Sequence, residues 1–399
     1  MTRGAGRRWA GALCVGVLLA LTACASRAPV AAEVPAPPTL SVAQVARLLP
    51  AKVKGGAERE GWARDVLAAL DAEAIPASAP VVCQVLAIIE QESGFQADPA
   101  VPGLPKLVRQ KLDSTAGRLG PLGRRLLDDV LAAKAKGAKR SFGARLDTLR
   151  TERDLDRLFR DMLAYYEEEY PAAYAAADLA SSLFGPSSFA GQNPVTTAGS
   201  MQVSVRYAVE KAGPDADPVA VRESLYTRAG GVRYGTARLL GFEAAYDAPL
   251  YRFADYNAGV YSSRNAALQA QVSRLTGVAL ATDGDLQLYD KEGEPRGEDS
   301  QTLKALLLFR QRHAPDLSER RVRRDVEEEK TADFEKTDTY LAVKRVYAKQ
   351  TGEAPAYAQL PQVTLKSVKL SGDRSTAWFA RSVDARYQRC MARHRQPAR

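Results

Sequence analysis

The stretch "SAPVVCQVLAIIEQESGF", Ser78–Phe95, limits the fold more than any other part of the chain. Apolar residues recur at i, i+3 and i+4, which is the period of a helix and not of a strand. Pro80 suits a first helical turn, with Ser78 or Ala79 as N-cap. Gly94 suits the left-handed position just past a helix end. The spacing therefore predicts a core helix from about Val81 to Ser93. A segment this apolar needs other elements to cover it.

The rest of the chain supplies them in kind. Helical spacing recurs in "SVAQVARLLPAKV", "EGWARDVLAALDAE", "KLVRQKLDST", "LGRRLLDDVLAAKAKG" and a long run from Leu146 to Phe184. It returns in "SVRYAVEKAG", in the run from Asp217 to Tyr246 and in "VYSSRNAALQAQVSRLTG". "FGPSSFAGQNPVTTAG", Phe184–Gly199, has the composition of a loop. Past Thr282 come a weak hairpin signal in "LQLYDKEGEPRG", two helices with solvated charge runs, a loop or short strand at "LPQVTLKSVKL" and a last helix in "STAWFARSVDARYQRCMARH". The expected class is mainly α.

The N-terminus departs from this pattern. Arg3, Arg7 and Arg8 precede an apolar run from Trp9 to Leu21, a basic region followed by a stretch too short for a permanent membrane anchor. Leu21-Thr22-Ala23-Cys24 resembles the bacterial lipobox, in which the cysteine becomes the lipidated first residue; the alternative is an ordinary cleavage site beside a chance cysteine. A Pro- and Ala-rich tether follows at once. Ala25 is not the aspartate that, in enteric bacteria, retains lipoproteins at the inner membrane, so the resemblance implies an outer-membrane, periplasm-facing protein held to the membrane by lipid. The expected division is a signal peptide over 1–23, a tether over 24–40, a helical domain over 41–282 and a C-terminal helical extension over 283–399.

Net charge is +9, falling to +6 without the three signal arginines. That mild excess suits an anionic partner such as cell wall or lipid headgroups. No basic patch with interleaved aromatics points to nucleic acid. Of the four cysteines, Cys14 leaves with the signal and Cys24 carries lipid. Cys83 and Cys390 remain in an oxidising compartment. Two arrangements stay open: a disulfide joining the C-terminus to the core helix, or a buried Cys83 and an exposed Cys390.

Helical phase separates the two acids of "IIEQES". At about 100° per residue, Val81, Val85, Ile88, Ile89 and Glu92 fall within roughly 60° of one direction. Glu90 lies nearly opposite, beside Ala87 and Cys83. Residues i and i+2 do not face each other, so the glutamates are not a carboxylate pair. Burial beside valine and isoleucine, and the negative end of the helix dipole, both favour a protonated Glu92. Such an acid can serve as general acid. The plainer alternative is a partly exposed glutamate at a helix end.

Two later stretches bear on that choice: "AGSMQVS", Ala198–Ser204, and "ADYNAGVYSSR", Ala254–Arg264. With "EQESGF" they resemble, in order, the soluble lytic transglycosylases of the lysozyme superfamily. The matching positions are Glu92-Ser93, then Gly199-Ser200-Met201-Gln202, then Tyr256-Asn257-Ala258-Gly259. The family's intervening helix with a spaced glycine is matched by "GGVRYGTARLL" around Gly235. Each motif alone is weak; their order makes the signal. The likeness covers about Val81–Phe95 and Thr196–Thr276, under a third of the chain.

The resemblance implies a lysozyme-like domain that cleaves peptidoglycan glycan strands, with Glu92 as sole catalytic acid and base and no cofactor. It implies that Tyr256 contacts Glu92 or the substrate N-acetyl group, and that Gln202 and Met201 line the saccharide groove. Gly199 would let backbone approach the glycan, Asn257 would brace its loop, and Ser93 would hydrogen-bond backbone at the helix end. Two rivals remain: a non-catalytic murein-binding or scaffolding lipoprotein, and a hydrolytic lysozyme drawing a second carboxylate from elsewhere.

The chain departs from the family in three ways. Val101–Phe189 separates motifs that the family keeps close together, so an insertion over about 101–189 is expected. Asp255 stands where alanine is common, and is expected at the surface unless it supplies that second carboxylate. Ser200 replaces a commoner apolar residue. No metal site is expected, since His313 and His394 are the only histidines and neither has ligand spacing. The lack of a mid-chain histidine also argues against a Ser-His-Asp hydrolase. Protein partners are left open.

Overall fold

The computed structural model describes residues 38–118, 120–172, 193–290, 293–365 and 374–397. The signal peptide, Cys24, all but the last residues of the tether, and most of the expected loop at 184–199 lie outside them.

The fold is mainly helical. Helices α1 (Val42–Leu48), α2 (Gly56–Ala72) and α3 (Ala79–Glu92) come first. The segment expected as an insertion, called the insertion below, contributes α4 (Leu104–Arg118), α5 (Gly120–Ala132), α6 (Phe142–Leu146) and α7 (Glu152–Glu169). A two-residue ribbon, β1 (Thr197–Ala198) with β2 (Val203–Ser204), pairs antiparallel with Thr197 opposite Ser204. Then follow α8 (Val205–Ala212), α9 (Pro218–Leu225), α10 (Arg228–Leu240), α11 (Pro249–Ala258) and α12 (Ser262–Thr276). The C-terminal part holds α13 (Gln301–His313), α14 (Glu319–Glu327), α15 (Asp338–Thr351), a second ribbon of β3 (Thr364–Leu365) and β4 (Arg374–Ser375), and α16 (Thr376–Arg395). No helix among the described residues is long and apolar enough to cross a membrane.

Local chemistry explains most helix starts. Ser41 and Gln44 form a reciprocal capping box on α1, and Thr151 and Asp154 do so on α7. Ser204, Asp217, Thr227, Ser300, Ser318, Thr337 and Ser375 each accept a backbone N–H at their own helix start. The Thr151 cap breaks the long helical run expected from Leu146.

Helix α3 begins two residues earlier than its spacing predicts, with Ser78 at the N-cap and Pro80 in the first turn. It ends at Glu92, and Gly94 takes φ +62°. Its burial differs from the expected single stripe. Val82, Cys83, Val85, Leu86, Ala87, Ile88 and Ile89 are all buried. The face expected to lie opposite the stripe is covered by α16.

Three apolar clusters organise the chain. The main one draws on α1, α2, α3, the 198–203 turn, α8, α10 and α11, and also on Phe379, Ala380, Val383, Tyr387 and Cys390 of α16. A second joins α12 to α13, α14 and α15. The insertion has its own, built on Leu104, Phe142, Leu146, Leu149 and Leu158. Apolar packing crosses the expected boundary at 282/283 in both directions. Helix α12 contributes Leu268 and Val272 to the second cluster, and α16 returns to the first. Cys83 and Cys390 are joined by a disulfide across 307 residues, with Cα atoms 5.6 Å apart. It ties α3 to α16.

Candidate active site

Glu92 and Glu90 part company as helical phase requires. Glu90 is mostly buried and sits 3.9 Å from the Lys52 ammonium and 3.7 Å from the Arg389 guanidinium. It is a structural charge between the chain's two ends. Glu92 is half-buried at the last position of α3. Ser93 donates to the Ile89 carbonyl at 3.1 Å and accepts from Gln96 N–H, closing the helix end.

Tyr256, on α11, reaches toward this glutamate. Its hydroxyl donates to the Met201 carbonyl at 2.7 Å. Burial of the hydroxyl end holds its pKa well above the ordinary phenol value, and the Glu92 charge adds to the effect. Arg238 acts in the opposite sense on the same hydroxyl. That guanidinium stands 5.6 Å from the Tyr207 ring centre, and burial pushes the Tyr207 hydroxyl up to about 12. The end of α3 acts electrostatically on the last turn of α11, 164 residues on from Glu92 to Tyr256, and that turn of α11 is bonded to the turn after β1.

That turn is shaped by packing. Gly199 has φ +79°, and a Cβ there would lie 2.0 Å from the Leu225 carbonyl oxygen. Its close backbone approach is to the protein itself, not to an open groove as expected. Met201 corrects a second expectation. Its side chain is 0% exposed and lies under α10, where a Cβ on Gly235 would fall 2.3 Å from its sulfur. A fully buried thioether cannot line a saccharide groove; Met201 contributes its carbonyl to the site and its sulfur to the core. The spaced glycine of α10 makes room for it.

Gln202 takes a left-handed φ of +50°, which is uncommon for a residue with a Cβ. Its amide is engaged on both ends. Nε2 donates to Glu152 Oε2 at 2.9 Å, and Oε1 accepts from the Thr197 hydroxyl at 3.1 Å. The expected groove amide is therefore held by the insertion. Glu152 opens α7, is 7% exposed and went unsuggested by the motifs. Its only sequence signal is its place behind the Thr151 cap, where a helix start favours a carboxylate.

The rest of α7 is anchored by charge. Arg153, Arg157 and Arg160 all pair with Glu223 of α9. Hydrogen bonds from Arg157, then Arg160 and Arg153, hold the Glu223 carboxyl down at about 2 against opposing desolvation. Asp156 is fully buried and accepts from Arg222 at 3.0 Å and from Asn193 at 2.7 Å.

Asp255 also differs from expectation. It is 1% exposed rather than at the surface. The Tyr246 hydroxyl and the Ser263 N–H both donate to it, so it secures the start of α12. Burial pushes it up to about 6, against those hydrogen bonds. Asn257, next to last in α11 rather than in a loop, accepts from Thr376 of α16 at 3.0 Å, which ties the end of α11 to the C-terminal helix. Among the described residues, no group of three His, Cys, Asp or Glu side chains could hold a metal ion.

Comparison with known proteins gives a family rather than a fold. The sequence family described as "Protein of unknown function (DUF1615)" matches residues 56–393. The chain belongs to this family. It is 37% identical over 377 residues to "Uncharacterized protein YaiW" of Escherichia coli (strain K12), covering 94% of this chain and 96% of that protein. No solved structure matches. The family span runs from α2 through most of α16, so it takes in the insertion and the C-terminal helix as well as the motif-bearing segments.

Proposed function

We propose that this protein is a peptidoglycan lytic transglycosylase with a lysozyme-like catalytic core, in which Glu92 is the acid and then the base. The observation that supports the reading is that the Glu92 charge acts on Tyr256, whose hydroxyl is bonded to the Met201 carbonyl. These residues come from the separate motifs that suggested the activity.

The chemistry needs one carboxyl group. Protonated Glu92 gives its proton to the oxygen of the β-1,4 bond between N-acetylmuramic acid and N-acetylglucosamine, and the bond from that oxygen to the muramyl anomeric carbon breaks. The N-acetyl carbonyl can assist at the anomeric carbon. The resulting carboxylate takes the proton of the muramyl 6-hydroxyl as that oxygen attacks the anomeric carbon. A 1,6-anhydro ring closes, no water is consumed, and Glu92 is again protonated. The high pKa of Tyr256 keeps its phenol neutral, so it can hold the Met201 carbonyl beside the acid at any physiological pH. The lipobox-like Cys24 places the enzyme, in this reading, on the inner leaflet of the outer membrane.

One observation favours a hydrolytic alternative. Glu152 brings a buried second carboxylate to Gln202. Mass analysis of products from purified murein separates the readings. Anhydro-muropeptides are expected. Reducing ends would make the enzyme a hydrolase, and retained murein binding without soluble products would make it a scaffold.

A further inference from the structure

The Met201 carbonyl that accepts from Tyr256 lies in the peptide plane between Met201 and Gln202. The φ angle of Gln202 is the rotation that sets that plane against the Gln202 side chain. At +50° it is left-handed, a region that a residue with a Cβ rarely enters unless its surroundings hold it there. The Gln202 amide supplies the hold. Nε2 donates to Glu152 Oε2 at 2.9 Å and, at 3.4 Å, to the Gly199 carbonyl. Oε1 accepts from the Thr197 hydroxyl at 3.1 Å. Gly199 and Thr197 belong to the same ribbon and its turn, so they move with Gln202. Glu152 grips the amide from another element.

The neck of the insertion places Glu152 for this. The Val101 N–H donates to the Arg150 carbonyl at 2.8 Å, and Ala100 and Thr151 form an antiparallel bridge. The chain that leaves α3 for the insertion and the chain that returns from it are thereby clipped together. Thr151 caps α7, and Glu152 is the first residue of that helix, 7% exposed. One turn on, the buried Asp156 ties α7 to Arg222 of α9. The Glu152 carboxylate is thus fixed by the chain on both sides of it.

We propose that Glu152 is a positioning residue for the glycan-cleaving site: by holding the Gln202 amide it keeps the Met201 carbonyl turned to the Tyr256 hydroxyl. This deepens the reading of the site given above and rests on it. It makes the insertion a working part of the site rather than an appendage. It also gives Glu152 a task that needs a hydrogen-bond acceptor and no proton transfer. A general base for water, the role a hydrolase would ask of it, needs the carboxylate itself.

The test is steady-state cleavage of soluble peptidoglycan fragments by the full chain and its variants. Glu152→Ala is expected to lower kcat by about 10²-fold, the cost of misplacing a group by about an ångström. KM should hardly move, the pattern of an interaction that serves the transition state rather than binding. Glu152→Gln should stay within about 3-fold of the parent, since its amide oxygen can accept the same bond. In a Gln202→Ala background Glu152→Ala should cost nothing further, because its effect runs through that amide. Should Glu152→Ala fail to fold, Gln202→Ala carries the test, with the same loss of kcat expected and a parental kcat overturning the proposal. A Glu152→Gln variant as slow as Glu152→Ala would overturn it and make the carboxylate itself a participant. A Glu152→Ala variant as fast as the parent, or one with its full effect beside Gln202→Ala, would overturn it too. In each of these cases the parent still cleaves, so the glycan-cleaving reading stands. A parent that releases no products would overturn both.

Discussion

Helix α3 and the insertion reach the same turn, Gly199–Gln202, by opposite means. Helix α3 is held by apolar burial on all sides and by a disulfide to α16. Each large aliphatic side chain it buries contributes about 1.5–3 kcal/mol, with little dependence on salt or pH. The insertion has a small apolar cluster of its own but meets the main core through α7 and its charges. The difference separates two tasks. The acid of the proposed mechanism stands on the element held by apolar burial. The residue that holds Gln202 stands on an element whose attachment is electrostatic.

This contrast is open to breaking. Asp156→Ala should have the largest effect, because it removes the buried carboxylate that Arg160, Arg222 and Asn193 share, leaving Arg222 only the Val195 carbonyl. Loss of one partner from a buried pair costs about 3–5 kcal/mol. Limited proteolysis should then cut within 101–172 while α3 stays protected; equal protection throughout would show that charge does not hold the insertion. Replacing Cys83 and Cys390 together by alanine should cost about 2–5 kcal/mol of global stability, seen in the thermal midpoint. It should leave cleavage within the insertion unchanged.

The pH dependences of two acids run in opposite senses. Asp255 is raised to about 6 from an ordinary 3.8. Below 3.8 it is protonated in both states, and between 3.8 and about 6 the native state keeps a proton that the unfolded chain releases. Core stability should therefore fall as pH rises through that window, by on the order of 1–3 kcal/mol. Asp255→Asn should flatten the profile in denaturant melts. Glu223 is lowered to about 2 from 4.5. Its contribution is complete above 4.5 and fades as pH falls toward 2, so acid should loosen the insertion first. Simultaneous loss of both regions in a proteolysis series would contradict the distinction.

Gly235→Ala should cost about 1–3 kcal/mol, since its methyl group would collide with Met201. A neutral result would mean that the methionine moves aside freely. The smallest effect is expected for Glu90→Gln, within about 1 kcal/mol, because its pairs with Lys52 and Arg389 are long and its partners half exposed.

What the sequence reveals follows the range of the interaction that decides each feature. Helix α3 and the phase of Glu92 are legible because a 3.6-residue period is local. So are the helix caps, each set within three residues. The second face of α3 is not legible, since its cover lies 307 residues away through Cys390. The burial of Asp255 depends on Tyr246 and Ser263, which no periodicity connects. Met201 reads as a groove residue until Gly235 is known to lie against it. Gln202 reads as free for substrate until Glu152, 50 residues away inside the insertion, is seen to hold it.

The central claim concerns one glutamate out of two. The most direct measurement is the rate at which purified murein releases soluble products with Glu92→Gln and with Glu90→Gln, both confirmed as folded by thermal midpoint. The account predicts a loss of about 10²–10⁴-fold for Glu92→Gln, the span expected when a general acid is removed, and a rate within a few-fold of the parent for Glu90→Gln. A fully active Glu92→Gln variant would contradict it.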